Sequence, residues 1–280
     1  MPELPEVEVC RRGIEPHVLN QNVSDVIVRN AKMRWPITPN ISDICGEKII
    51  NVNRRAKYLL LETSKGILML HLGMSGTIRV IDKDTLVTKH DHFDLVLENG
   101  LALRLNDPRR FGSVLWITED INEHSLIKKL GPEPLSPDFS DDFLYKKSRN
   151  KTVPIKTFLM NNHVVVGVGN IYANEALFLA GILPTVKAGD INKERYNRLT
   201  DIIKQVLGAA IEQGGTTLKD FTQADGRPGY FAQSLFVYGR SGQACLTCKE
   251  TLLEIRQANR SSVFCPCCQQ DSKMIAQVPL

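Results

Sequence analysis

Apolar residues recur at helical intervals at the start of this chain, where Val7, Cys10, Ile14 and Val18 follow Pro5, and the spacing predicts a first helix that frays near Pro16. From Lys48 to Ile117 the period shortens to two. Tyr58–Thr63 and Ile67–Leu72 flank Ser64-Lys65-Gly66, and Phe93, Leu95 and Leu97 lead into Asn99-Gly100 before Leu101, Leu103 and Leu105 resume the alternation. Asn-Gly between alternating runs is the strongest short hairpin signal, so this half is expected to be antiparallel sheet in two packed layers. Residues 131–140 carry Pro132, Pro134 and Pro137 and read as an interdomain linker. Beyond it Leu199, Ile202, Ile203, Val206, Leu207, Ala210 and Ile211 form one helical stripe ending at Gly214-Gly215, and a short β segment closes the chain. The expectation is an α+β protein with a β-sandwich domain over 1–133, a helical domain over 134–235 and a terminal module over 236–280.

Composition narrows the class. The chain has 280 residues, 42% hydrophobic and 24% charged, which is ordinary for a folded globular protein and argues against disorder. No apolar run reaches the length of a membrane span, and the acidic, proline-bearing start lacks the basic and apolar regions of a signal peptide, so a cytoplasmic location is expected. A net charge of +4 does not by itself mark a nucleic-acid binder. Local groups matter more: Arg54, Arg55 and Lys57 cluster, as do Arg104, Arg109 and Arg110, and either would suit phosphate if it converged on one surface.

Two constellations carry chemistry. Cys245 and Cys248, then sixteen residues, then Cys265 and Cys268 give C-x2-C-x16-C-x2-C, the spacing of a zinc site. Four thiolates close a tetrahedral shell, so the expected ion is a single structural Zn2+. Cys267 is a competing ligand, but Cys265 with Cys268 keeps the matching gap; Cys10, Cys45 and Cys267 read as reduced, non-ligand thiols. At the other end, Pro2 becomes a secondary amine once Met1 is removed. An α-amino group titrates near about 7.7–8.0, against about 10.4 for lysine, so the terminus is the readier amine nucleophile at neutral pH. Val166-Gly167-Val168-Gly169 hints at a dinucleotide loop, but Tyr172 stands where the next glycine is required, so no nucleotide cofactor is expected.

Pro2-Glu3-Leu4-Pro5-Glu6-Val7-Glu8, followed by Arg11-Arg12-Gly13, resembles the start of formamidopyrimidine-DNA glycosylases, and matching segments run in order to the last cysteine. The resemblance implies excision of oxidised purines from damaged duplex DNA, followed by strand cleavage at the abasic site. It implies Pro2 as nucleophile, Glu3 as acid/base and Glu6 as its organiser. Lys57 is implied with them in the catalytic group, as a lysine that binds phosphate near the lesion, and His90, Arg109, Lys156, Asn170 and Arg260 are implied DNA contacts, Asn170 within a helix–two-turn–helix motif. Met74, Arg109 and Phe111 are implied to fill the gap left by a flipped base, although Met74 and Phe111 would be core residues in most chains. The stretch from Gly214 to Tyr230 resembles a loop closing over that base. Asn161 and His163 depart from the family's more usual Asp and Lys. A monomer, associated with the nucleoid when on DNA, is implied. Two other readings stay open: an endonuclease-VIII-type enzyme for oxidised pyrimidines, disfavoured by Leu4 and by Asp107-Pro108-Arg109-Arg110-Phe111, and a non-catalytic zinc-ribbon DNA-binding protein.

Overall fold

A reciprocal cap starts the first helix: the Glu3 N–H donates to Glu6 Oε2 at 2.7 Å while the Glu3 side chain accepts from the Glu6 backbone. The helix, α1 (Leu4–Val18), holds Pro5 in its first turn, where a missing N–H costs nothing. It runs past Pro16 because Ile14 and Val18, both fully buried, anchor its last turn.

The computed structural model describes residues 2–215 and 235–271. They form two compact units, one of residues 2–129 with 211–215 and one of 130–210 with 235–271. The first unit contains α1 and eight strands: β1 (Val23–Val28), β2 (Asn51–Arg55), β3 (Tyr58–Glu62), β4 (Ile67–His71), β5 (Thr77–Asp82), β6 (Asp91–Leu97), β7 (Leu101–Asn106) and β8 (Ser113–Ile117). They make two four-stranded antiparallel sheets, ordered β1-β6-β7-β5 and β2-β3-β4-β8. Both expected hairpins form, with Glu62 opposite Ile67 and Val96 opposite Ala102. Gly100 takes φ +86 at the second turn, a conformation that favours glycine. The inner faces meet through Leu59, Leu61, Leu68, Leu70, Phe93, Leu95, Leu97, Leu103 and Leu105, and α1 adds Val7, Cys10, Ile14 and Val18 to the same core. Each buried leucine there contributes about 2 kcal/mol of transfer free energy. The Cys10 thiol, sealed in this core, is pushed up to about 12 by burial and is inert.

Every residue of β6 is buried, polar ones included, because its outward positions carry an ion network. Arg104 forks onto Asp94 at 2.9 and 2.8 Å and donates to the carbonyls of Thr85 and Leu86; Arg29 also reaches Asp94, and Arg79 reaches Asp91. Arg104 therefore has no part in a solvent-facing cluster with Arg109 and Arg110. Arg104→Met should lower stability by about 3 kcal/mol, the low end for breaking a buried pair because Arg29 still serves Asp94; urea unfolding at neutral pH measures it.

The second unit carries α2 (Asp141–Ser148), α3 (Ile155–Leu159), α4 (Asn170–Leu179), most of α5 (Lys193–Glu212) and a hairpin of β9 (Leu253–Gln257) and β10 (Arg260–Phe264). The proline-rich stretch after residue 130 is held within this unit, the Gly131 N–H donating to the Asn162 carbonyl and the Val166 N–H to that of Pro132. Nine of the ten α4 residues are buried, so the helix is covered on all sides. Its polar side chains are used internally. Asn174 Nδ2 donates to the Asn170 carbonyl and its Oδ1 accepts from Val263 N–H on β10. Glu175 accepts three consecutive N–H groups, from Phe236, Val237 and Tyr238, at 2.8–2.9 Å. No helix among the described residues is long and apolar enough to cross a membrane.

Candidate active site and nucleic-acid interface

Pro2 is buried, and it is followed by two buried carboxylates, Glu3 at 1% and Glu6 at 2% exposure. The helix geometry explains why both lie at the terminus. Glu6 turns back to cap the Glu3 N–H, so the residue carrying one carboxylate is held by the other. Gly215, at φ +80, lies against Glu6: a side chain there would start 3.5 Å from Glu6 Cγ. The rest of the loop expected to close over a base, residues 216–230, lies outside the described residues.

Lys57 follows Ala56, which takes φ +53 in the tight β2–β3 turn. It lies near enough to His71 to act on it electrostatically. The His71 imidazole is pushed down to about 4, first by burial and then by the positive charges of Lys57 and Arg34. Its neutral Nδ1 accepts the Gly73 N–H at 3.0 Å, which leaves any ring proton on Nε2. With about 4 in the fold and 6.5 in the open chain, the unfolded state takes the proton first. Stability is then expected to fall as pH drops through 6.5 and to level off below about 4. Urea midpoints at pH 7 and 4.5 should show that loss shrinking in His71→Asn.

Met74, Arg109 and Phe111 are brought together by two neighbouring turns. The 107–112 turn exposes Arg109 and Phe111, the latter by 39%, and stacks the guanidinium 4.7 Å from the ring centroid. Phe111 is thus not a core residue, and Met74 is only half-buried on the facing turn. His90 joins the same neighbourhood through its backbone, its carbonyl accepting the Asp107 N–H, with its ring 6.4 Å from that of His92.

In the second unit Asn170 opens α4 and is 9% exposed, and its Oδ1 has no hydrogen-bond partner among the described residues. The helix cap itself is Gly169, so Asn170 is not the capping residue of the ordinary pattern. Oδ1 is an acceptor, so an anionic oxygen at this helix N-terminus, beside Gly167 at φ +79, would be met by the Nδ2 donor and the backbone N–H groups instead. Arg260 follows Ala258 and Asn259, at φ +46 and +61, the type I′ geometry of a two-residue hairpin turn. Arg260 and Lys156 line a cavity of about 590 Å3 whose other basic lining groups are Lys147, Lys151 and His163, with no carboxylate among its walls. The two cations differ in their freedom. Arg260 is exposed, whereas Lys156 is buried, its Nζ donating to the Ser261 carbonyl and to Ser262 Oγ at 2.7 Å. Sequence reasoning missed Lys147 and Lys151; their recurrence at 146–151 with Lys146 and Arg149 was the available signal.

The sulfurs of Cys245, Cys248, Cys265 and Cys268 all lie within 4.8 Å of one another, the pairs Cys245–Cys268 and Cys248–Cys265 at 3.9 and 3.4 Å. Tetrahedral zinc with bonds of about 2.3 Å would set such edges near about 3.8 Å, so the set fits one structural Zn2+. Cys267 is exposed and outside the set. Backbone N–H groups already serve the site: that of Cys268 donates to Cys265 Sγ, and that of Cys265 to Gln269 Oε1.

A buried Pro2-Glu3 pair at the start of a β-sandwich unit, a helical unit and a four-cysteine hairpin are the features that set the class of this protein. Three family models match in order: the formamidopyrimidine-DNA glycosylase N-terminal domain over residues 1–114, its H2TH domain over 130–222 and the zinc finger found in FPG and IleRS over 242–270. The formamidopyrimidine-DNA glycosylase of Colwellia psychrerythraea is 70% identical over 97% of this chain and all of its own length. Among solved structures, MutM (Fpg) of Thermus thermophilus matches with a TM-score of 0.88 and 37% identity, covering 96% of this chain and 99% of its own. Wild-type Lactococcus lactis Fpg bound to DNA containing N7-benzyl-Fapy-dG matches at 0.89 and 34%, covering 96% and 100%. The chain belongs to the formamidopyrimidine-DNA glycosylase family.

Proposed function

We propose that this protein is a bifunctional base-excision repair enzyme that removes oxidised purines, 8-oxoguanine and formamidopyrimidines, from duplex DNA and then cleaves the strand. The observation that carries this reading is the buried Pro2 at the chain start, with Glu3 and Glu6 buried beside it in a reciprocal cap. Once Met1 is removed, the Pro2 nitrogen attacks C1′ of the damaged nucleotide, and the glycosidic bond breaks as the base departs. Glu3 protonates the opening sugar-ring oxygen. The resulting iminium acidifies the C2′ proton, and β- then δ-elimination release the strand ends. Glu6, committed to the Glu3 N–H, orients the pair.

The base must leave the stack before this chemistry can begin. Met74, Arg109 and Phe111 occupy its place; the half-exposed phenylalanine with its stacked guanidinium is an apolar wedge with a charged edge. Lys57, His90 and Arg109 on the first unit and Asn170, Arg260 and Lys156 on the second serve the backbone, Lys156 through its hold on the hairpin. The thiolates of Cys245, Cys248, Cys265 and Cys268 would hold one Zn2+ in a closed shell, and the bound ion would pin that hairpin. The working form is a monomer in the cytoplasm, nucleoid-associated when on DNA. Borohydride trapping of the untagged protein on an 8-oxoguanine:cytosine duplex, beside thymine-glycol and undamaged duplexes, tests the reading. A covalent adduct mainly on the purine lesion is expected; trapping mainly on thymine glycol would move the protein to the endonuclease-VIII-type reading.

A further inference from the structure

A single buried carboxylate joins the two turns that carry Met74, Arg109 and Phe111. Asp107 is 0% exposed. Its Oδ1 accepts the Ser75 hydroxyl at 2.9 Å and the Arg109 N–H at 3.3 Å, and its Oδ2 accepts the Gly112 N–H at 2.8 Å. Its backbone binds the histidine strand as well, the N–H donating to the His90 carbonyl at 3.0 Å and the carbonyl meeting His92 Nε2 at 2.9 Å. The bond to Arg109 alone would be an ordinary local Asx turn. Those to Ser75 and Gly112 go further, because Ser75 neighbours Met74 while Arg109 and Gly112 bracket Phe111.

The two turns are pressed together so closely that neither tolerates a side chain at the contact. A Cβ on Gly73 would lie 2.4 Å from the Phe111 carbonyl carbon, and one on Gly112 would lie 2.5 Å from the His71 carbonyl oxygen. Such an approach brings backbone dipoles into a dry interior, and a carboxylate that accepts two N–H groups and a hydroxyl satisfies them with charge-assisted bonds. Beyond Asp107 the chain turns through Arg110 at φ +56, a costly conformation for a non-glycine residue that persists only where its surroundings impose it.

We infer that Asp107 is the positioning residue of the void-filling group, setting Met74, Arg109 and Phe111 in one register against the duplex without touching DNA itself. This rests on the reading that those three residues fill the vacated base position. Pro2, Glu3 and Glu6 depend on the α1 cap and make none of these bonds, so the two functions should separate.

The test compares Asp107→Ala and Asp107→Asn with Met74→Ala and Arg109→Ala on two substrates: an 8-oxoguanine:cytosine duplex, and a single-stranded oligonucleotide carrying a ready-made abasic site. Misplacing the wedge by about 1 Å should cost Asp107→Ala roughly 10²-fold in duplex excision, while imine trapping on the abasic single strand stays within about threefold. Asparagine can still accept from Gly112 and donate to Ser75, losing chiefly the Arg109 bond, so Asp107→Asn should recover excision to within about tenfold of wild type. 2-Aminopurine opposite the lesion should report altered stacking in Asp107→Ala, and not in the asparagine variant. Equal loss of both activities, or loss of neither, would overturn the positioning role. Unchanged duplex excision in both Met74→Ala and Arg109→Ala would overturn the void-filling reading, and the inference with it. Normal excision in Asp107→Ala alone would remove only the role of Asp107.

Discussion

Pro2→Gly is expected to bring strand cleavage and borohydride trapping on an 8-oxoguanine duplex below detection while DNA affinity and zinc content persist. The chemical reason is that a secondary amine condenses to an iminium ion that carries its positive charge without needing a proton. A glycine amine gives a neutral imine that must be protonated before it can withdraw electrons from C2′. The structural reason is that the buried pyrrolidine ring fixes where the nitrogen lies beside Glu3. Glu3→Gln should keep the amine and its cap but lose the acid, lowering excision by roughly 10²–10⁴-fold. Retained Met1, or any tag fused ahead of Pro2, should abolish the reaction as completely as the substitution. Gel-resolved cleavage and trapping, read beside a binding isotherm on the same duplex, separate these outcomes from loss of affinity. Undiminished trapping by Pro2→Gly would put the nucleophile elsewhere in the chain.

Cys265→Ser is expected to release the zinc ion and, with it, high-affinity DNA binding. Structural zinc contributes on the order of 10–16 kcal/mol of apparent folding free energy in isolated finger peptides. The apolar residues around this site, Phe178, Val237, Leu252 and Val263, form a small cluster that includes three of the cysteines themselves. That cluster cannot replace the metal. Without it β9 and β10 lose their anchor, Arg260 leaves its place, and the salt dependence of DNA binding should weaken by about one phosphate contact per lost arginine. Zinc content by atomic absorption and binding across a salt series check this. Full affinity and an unchanged salt slope in zinc-free protein would separate the hairpin from DNA recognition.

The periods of two and 3.6, the Asn-Gly turn and the cysteine spacing made the sandwich, the long helix and the metal set legible before any coordinates, because each is a local rule written in consecutive residues. Pro2 and Glu3 stood out for a different reason, as an expectation of chemistry that few other positions in a chain can offer. What could not be read was the direction of polar side chains. Arg104 looks like its neighbours Arg109 and Arg110, yet its strand position turns it onto Asp94. Lys156 looks like a surface cation, yet it ends on the zinc hairpin. Asp107, ahead of a proline, reads as a turn residue, and its main partner, Ser75, lies 32 positions away. Phe111 went the other way, an aromatic residue presented to solvent by a turn whose interior is already filled.

The close approach of the 71–76 and 107–112 turns shapes how the sequence can vary. Gly73 and Gly112 have no side chain to titrate or attack, and the backbone N–H each donates is one that any residue but proline carries. A saturation scan for repair activity should nonetheless rank them among the least replaceable positions, alongside Pro2, with even alanine failing, while the exposed Pro108 in the second of these turns accepts change. Invariance at such glycines records how near two pieces of main chain must lie, and a map of mutational tolerance read as a map of catalysis would mistake that spacing for reactivity.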